Sequence, residues 1–299
     1  MNNKRLMVKL NQISSQYIGK IMYALFLMSI LETLSFFVIL SPSLRMAQNS
    51  SPFTAQIFTI ALAFVALCVW LTFQFGFAVM LLRMTRRQSV NLGHIFIGFK
   101  CFKPASKVIF SFAGIFAFLV IVSRFIARFI FSQIKPDFSY QSLSIQDLQE
   151  VAENSELLSE FALNIVIFMG IFLAVIFVLS LISLIHFVFV FHLHFDNPSM
   201  SISELFTKSA KMMKKNVFRL IVFALRAGGK PLLVAIVLAV LVNFIPEGKN
   251  SGLSILVFIL DMIYFINLYT AMIRIYLTVP VLYEELLNQK LEIAQDENS

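Results

Sequence analysis

Two pairs of basic residues stand inside otherwise apolar segments: Arg124 with Arg128, and Arg226 with Lys230, each pair four residues apart. On a helix that spacing puts both cations on one face. In apolar surroundings the chemistry open to them is ion pairing or the holding of an anion. The acids in comparable segments are Glu32 and Asp261. Arg128 and Arg274 lie close to segment ends, where a long side chain reaches water. That leaves Arg124, Arg226 and Lys230 against Glu32 and Asp261, with one cation in excess. These five form a candidate intramembrane charge site. Glu32 is the expected first partner of Arg226 and Lys230, and Asp261 the second. Structural ion pairing is the favoured reading, and a site for an anionic group is the runner-up.

Other reactive side chains offer less. Cys68 and Cys101 are the two cysteines, one in an apolar segment and one in a basic loop, so no disulfide framework or metal cluster is expected. His192 and His194 are two apart, poor spacing for one helical face, and read as an interfacial pair rather than metal ligands. No Gly-x-Ser-x-Gly, His-Glu-x-x-His or Walker motif occurs. The expectation is a protein without catalytic residues, cofactor or metal.

The elements that must position these residues are membrane helices. The chain is 59% hydrophobic and 13% charged, too apolar for a soluble domain of its length. A span needs ~20 mostly apolar residues. Candidates are Ile21–Leu40, Ile57–Leu82, Val108–Ile134, Phe161–Phe191, Val217–Ile245 and Leu253–Val279. The net charge of +8 is sorted between loops rather than spread as a nucleic-acid surface. Lys4, Arg5, Lys9 and Lys20 precede the first span. Arg83, Arg86, Arg87, Lys100, Lys103 and Lys107 fill the second connection, and Lys208, Lys211, Lys214, Lys215 and Arg219 the fourth. Basic loops stay inside, so both termini are expected in the cytoplasm. The acidic stretch around Asp137–Glu160 is expected outside, with a short helix opened by the capping box Ser144-Ile145-Gln146-Asp147. The fold class is therefore all-α and polytopic: one transmembrane domain over residues 1–290 and a short acidic tail over 291–299.

Each basic stretch is also amphipathic. Leu6, Leu10, Ile13 and Tyr17 share a helical face, as do Leu92, Ile95, Phe96, Phe99 and Phe102, and then Ile202, Leu205, Phe206 and Met213. Bases opposite an apolar stripe favour an anionic membrane surface. Three elbow-plus-hairpin repeats result, each elbow resting on the inner leaflet. In the fifth span Gly228, Gly229 and Pro231 weaken the helix, which predicts a break there. Asp196-Asn197-Pro198 ends the fourth span, because Asp and Asn favour turns and the residue before Pro leaves the α region. Ser199 or Ser201 then caps the next elbow.

Asp196, Asn197 and Pro198, followed by Ser209, Met213, Lys214 and Asn216, resemble the signature of the domain-of-unknown-function 975 family of bacterial integral membrane proteins. Ile95-Phe96-Ile97-Gly98-Phe99-Lys100 and Pro280-Val281-Leu282-Tyr283-Glu284 are similar to further elements of that family, so the likeness covers roughly 89–290. The chain departs from it at Ala224–Pro231, where the family carries a Ser-Phe-Ile-Gly-Trp-like stretch. The resemblance implies a multi-pass fold in a bacterial cell membrane and supplies no activity. The expected function is binding of membrane lipid or another amphiphile, or service as an envelope partner protein or homo-oligomer, without nucleic acid. The alternative is a small transporter or exporter component using an anion site at the broken fifth helix.

Overall fold

The computed structural model describes residues 3–49, 52–134, 155–243 and 251–296. All regular structure among them is helical: α1 (Asn3–Asn49), α2 (Pro52–Thr85), a 3₁₀ turn (Leu92–Phe96) running into α3 (Ile97–Lys100), and α4 (Phe102–Ile134). Then follow α5 (Ser155–Phe187), α6 (Val190–Asp196), α7 (Ile202–Met213), α8 (Val217–Asn243) and α9 (Ser251–Asp296). Among the described residues, six stretches are long and apolar enough to cross a membrane: Lys4–Leu34, Ile57–Thr85, Phe102–Ile134, Ala162–Asp196, Val217–Val242 and Val257–Gln289. The chain is an all-helical multi-pass membrane protein. The expected capping box at Ser144–Asp147 lies outside the described residues. Residues 291–296 of the expected tail continue α9.

The chain divides into two compact units, residues 1–110 with 186–299, and residues 111–185. The second holds most of α4 and α5. There Ser123, Ala127 and Phe131 are buried, and Phe131 meets Phe168 edge-on at 5.8 Å between ring centres.

In the first unit burial gathers at one end of each helix, the end joined to the basic loops. Along α2, Phe73, Phe75, Phe77, Met80 and Leu82 are buried, while Ile57, Ile60, Phe64 and Val65 are exposed. Along α9, Ile273, Leu277, Val281 and Tyr283 are buried, while Phe258, Ile259, Ile263 and Phe265 are exposed. Apolar side chains gain nothing by leaving lipid for protein, so helices join where small residues or polar bonds hold them. The α8–α9 contact uses small residues: Ala227, Ala235 and Ala271 are buried, and a Cβ on Gly228 would stand 2.6 Å from Ile275 and 3.0 Å from the Ala271 carbonyl.

Three expectations are corrected. The fifth span is not broken: α8 runs as one helix through Gly228, Gly229 and Pro231. Without water, leaving helical geometry strands several backbone groups, which outweighs the weak propensity of two glycines. Gly228 is there for close packing. The interruption falls instead in the fourth span, where α5 ends at Phe187 and α6 starts at Val190. Third, the three basic stretches are not alike. The first is simply the start of the 47-residue α1, the second is a 3₁₀ turn plus a single α turn, and the third is a separate helix.

Candidate functional site

At the basic-loop end of the first unit, α2 closes with a left-handed residue. The Gln88 amide donates to the Arg83 carbonyl (3.0 Å) and the Arg87 amide to that of Met84 (3.1 Å), the bond pair of a Schellman turn. Arg87 takes φ 56°, normally a glycine position. Its side chain donates to Gln12 of α1 at 3.0 Å. This turn aims Arg86, the helix cap, across the bundle.

Arg86 meets two acids there. Its Nη1 and Nη2 donate to Asp196 Oδ1 and Oδ2 at 2.7 and 2.8 Å. Its Nε donates to Glu284 Oε1 at 2.8 Å, and Nη2 stands 2.7 Å from the same oxygen. Tyr283 Oη donates to Asp196 Oδ2 at 2.8 Å. The Asp196 bond, ahead of the Glu284 bond, raises the proton affinity of Arg86 above that of an ordinary arginine. The cluster ties the ends of α2, α6 and α9 together. Asp196 needs the cation, since an acid in the last turn of a helix opposes the helix dipole. One turn earlier on α2, Arg83 lies 5.6 Å from the Phe195 ring centre and 2.7 Å from His94 Nε2.

Beneath the clasp, His192 is buried between Tyr283 and Phe189, with ring centres at 5.3 and 6.4 Å. Among the described residues neither of its ring nitrogens has a hydrogen-bond partner. His194 is buried as well and tilts on Phe75 at 6.0 Å, so the two histidines point to different neighbours. Among the described residues no cluster of His, Cys, Asp and Glu has metal-holding geometry.

The motif residues act structurally. Asp196 ends α6, Asn197 caps it and its amide bonds the Leu193 carbonyl at 2.9 Å. Ser201 caps α7 in a capping box with Glu204. Ser209 is the piece that no spacing rule announced. Its Oγ donates to the His186 carbonyl at 2.9 Å and accepts from the Phe189 amide at 3.3 Å. One hydroxyl from α7 therefore serves a backbone group on each side of the gap between α5 and α6. Met213 is fully buried and Lys214 caps the end of α7.

Within the first unit, Glu32, Arg226, Lys230 and Asp261 make no ion pair with one another among the described residues. Glu32 accepts from Gln74 Nε2 at 3.3 Å instead of from a base. Arg226 and Lys230 are exposed on α8, and among the described residues neither has an acid in bonding range. Asp261 is half-buried on α9 and Arg124 is exposed in the other unit. Arg274, discounted as a snorkelling residue, donates to Asn11 of α1.

The elbows also differ in what covers them. Leu6, Leu10 and Ile13 of the first stretch and Leu205 and Met213 of the third are buried in protein, so those stripes do not lie in a headgroup layer. The second is different. Gly76 of α2 abuts the Ile95 carbonyl, and a Cβ on Gly98 would stand 2.5 Å from the Thr72 carbonyl. With the two backbones in contact, the aromatic side chains are pushed outward. Phe73 meets Phe96 and Phe99 edge-on, yet Phe96, Phe99, Phe102 and Phe110 stay exposed at 36–48%. Exposed Lys100, Lys103 and Lys107 stand among them.

Set against known proteins, the chain matches no protein-family model, no curated protein and no solved structure.

Proposed function

We propose a non-catalytic protein of the bacterial cell membrane, both ends cytoplasmic, that binds anionic lipid at the inner leaflet. The carrying observation is the second basic stretch, with Phe96, Phe99 and Phe102 exposed beside Lys100, Lys103 and Lys107. No acid occurs from Thr33 through Pro136, so the stretch is basic throughout. Phenylalanines on the apolar side of a basic segment bury at the headgroup and acyl boundary, and each nearby lysine adds about 1 kcal/mol of attraction to an anionic surface. The likeness of Asp196-Asn197-Pro198 and its sequel to the domain-of-unknown-function 975 family fits this reading, and membership of that family is part of the proposal. The unbroken α8 removes the break in the fifth span at which the transporter alternative placed its anion site.

The test uses Phe99→Trp in a background where Trp70, the single tryptophan, is replaced by Phe. The protein is placed in phosphatidylcholine nanodiscs containing a small fraction of brominated lipid. Brominated phosphatidylglycerol is expected to quench the introduced tryptophan more than brominated phosphatidylcholine does. Lys100→Gln, Lys103→Gln and Lys107→Gln together should erase the difference. Absence of quenching by either lipid, or equal quenching in the parent, would sink the proposal.

A further inference from the structure

We infer that α8 carries a second, separate lipid site: a notch at Gly229 that seats one phosphate-bearing anionic lipid, with Arg226 and Lys230 on the phosphate and Leu233 and Val237 along an acyl chain. It shares the lipid-binding reading but not the elbow.

The notch follows from helical geometry. Leu220, Phe223, Ala227, Gly228 and Ala235 bury one arc of α8. The remaining arc is exposed, with Leu225 at 62% and Leu233 at 65%. Gly229 lies between those two, one turn from each, and a Cβ there would meet nothing within 4 Å. The missing side chain leaves a gap on an apolar surface, and Arg226 and Lys230, one turn apart, flank it. Like charges at that spacing repel, and a cation facing hydrocarbon is costly unless it is compensated. Asp261 and Glu32 do not compensate them: Glu32 is taken up by Gln74, and among the described residues Asp261 has no bond to either base.

The apolar flanks decide what kind of anion fits. Leu225, Leu233, Ile236 and Val237 are all exposed around the notch. A free inorganic anion would leave them unmatched, whereas a lipid brings charge and hydrocarbon together. Arg219 lies on the same stripe, two turns nearer the basic end of α8, with one buried guanidinium nitrogen unbonded among the described residues. A phosphate reaching Arg226 from that end passes it on the way.

The experiment repeats the quenching assay with Leu233→Trp in the Trp70→Phe background. Brominated phosphatidylglycerol is expected to be preferred over brominated phosphatidylcholine by about tenfold, the ratio one charge-assisted hydrogen bond confers. The double variant Arg226→Gln with Lys230→Met should bring the ratio to about one. Gly229→Leu keeps both charges, strengthens the helix and fills open space, so its melting temperature should hold or rise while quenching by both lipids drops. That second variant keeps the test sharp if the first fails to fold. An unchanged preference in both variants overturns the site. So does loss, in Lys230→Met, of an oligomer or of a co-purifying protein, which would make the counter-charge a protein acid. The elbow variants at Lys100, Lys103 and Lys107 should leave the ratio read by the Leu233→Trp reporter intact. If they abolish it while the α8 variants do not, the α8 site falls and the elbow stands.

Discussion

Asp196 gives both carboxylate oxygens to Arg86, at 2.7 and 2.8 Å, across 110 residues of chain. The pair is asymmetric in its dependents. Arg86 also serves Glu284, while Asp196 also receives Tyr283. Removing the cation strands two acids, whereas removing one acid leaves Arg86 half-satisfied.

Arg86→Met should therefore cost more stability than Glu284→Gln or Asp196→Asn. The cluster is partly wet, with side chains 15–24% exposed. The loss for Arg86→Met should thus be below the 3–5 kcal/mol of a fully buried pair, at about 2 kcal/mol. Thermal unfolding in neutral detergent gives the order. Arg86→Met combined with Asp196→Leu should lose less than the sum of the single changes. Additive losses would show that the two residues do not act as a unit.

Ser209→Ala removes the one hydroxyl that serves both sides of the α5–α6 gap. Leaving buried backbone groups unpaired costs about 1–3 kcal/mol. The specific readout is amide exchange at Phe189, which should accelerate far more than at Leu193, whose own amide bonds the Phe189 carbonyl at 2.9 Å. Uniform acceleration along α6 would point to general loosening instead.

Alanine at four glycines should give a ranked series. Gly76 and Gly98 face backbone that cannot move aside and should be hurt most. Gly228 faces mainly the flexible Ile275 side chain and should fall between, and Gly229 should gain, by up to ~1 kcal/mol from helix propensity. Melting temperatures of the four variants check the order. Equal losses at Gly228 and Gly229 would restore a helix-break role for the pair.

Arg87→Gly should relieve the left-handed strain, about 1 kcal/mol, against the loss of a weak exposed bond to Gln12. Arg87→Val should destabilise, because it keeps the strain, adds β-branching and loses the bond. The comparison needs only the two melting curves.

Orientation rests on native Cys101, which is exposed on the second basic stretch. With Cys68 replaced by Ala, an impermeant maleimide should label Cys101 in inverted vesicles and not in intact cells. Labelling of intact cells would place the basic loops outside and remove the inner-leaflet reading.

Much of the fold was legible because the bilayer imposes a crude rule: a span needs a long apolar run, and such runs stand out. The end of α6 at Asp196-Asn197-Pro198 was legible too, and the cap was narrowed to Ser199 or Ser201, of which Ser201 is the one, since turn chemistry is local. The clasp was not. Glu284 stands 198 residues from Arg86, and an arginine at the end of a span looks like every other positive-inside residue. The gap at Val188–Phe189 was hidden for the opposite reason. Phe187-Val188-Phe189-Val190 contains no Gly or Pro, and the helix yields there because a serine from another element donates to the His186 carbonyl and accepts from the Phe189 amide. In α8 the signals were strong but misread, because a glycine that weakens a helix in water is also one that lets two helices touch in lipid.

The clasp also sets an order of events during synthesis. Arg86 leaves the ribosome on the order of ten seconds before Asp196, and Glu284 arrives later still, in the last helix. Through that interval the α1–α2 hairpin carries a cation whose seat does not yet exist. Its basic-loop end stays open until α9 enters the bilayer. A nascent chain halted before α9 would thus display an unclosed polar seam, with Arg86 lacking Glu284 and Asp196 lacking Tyr283.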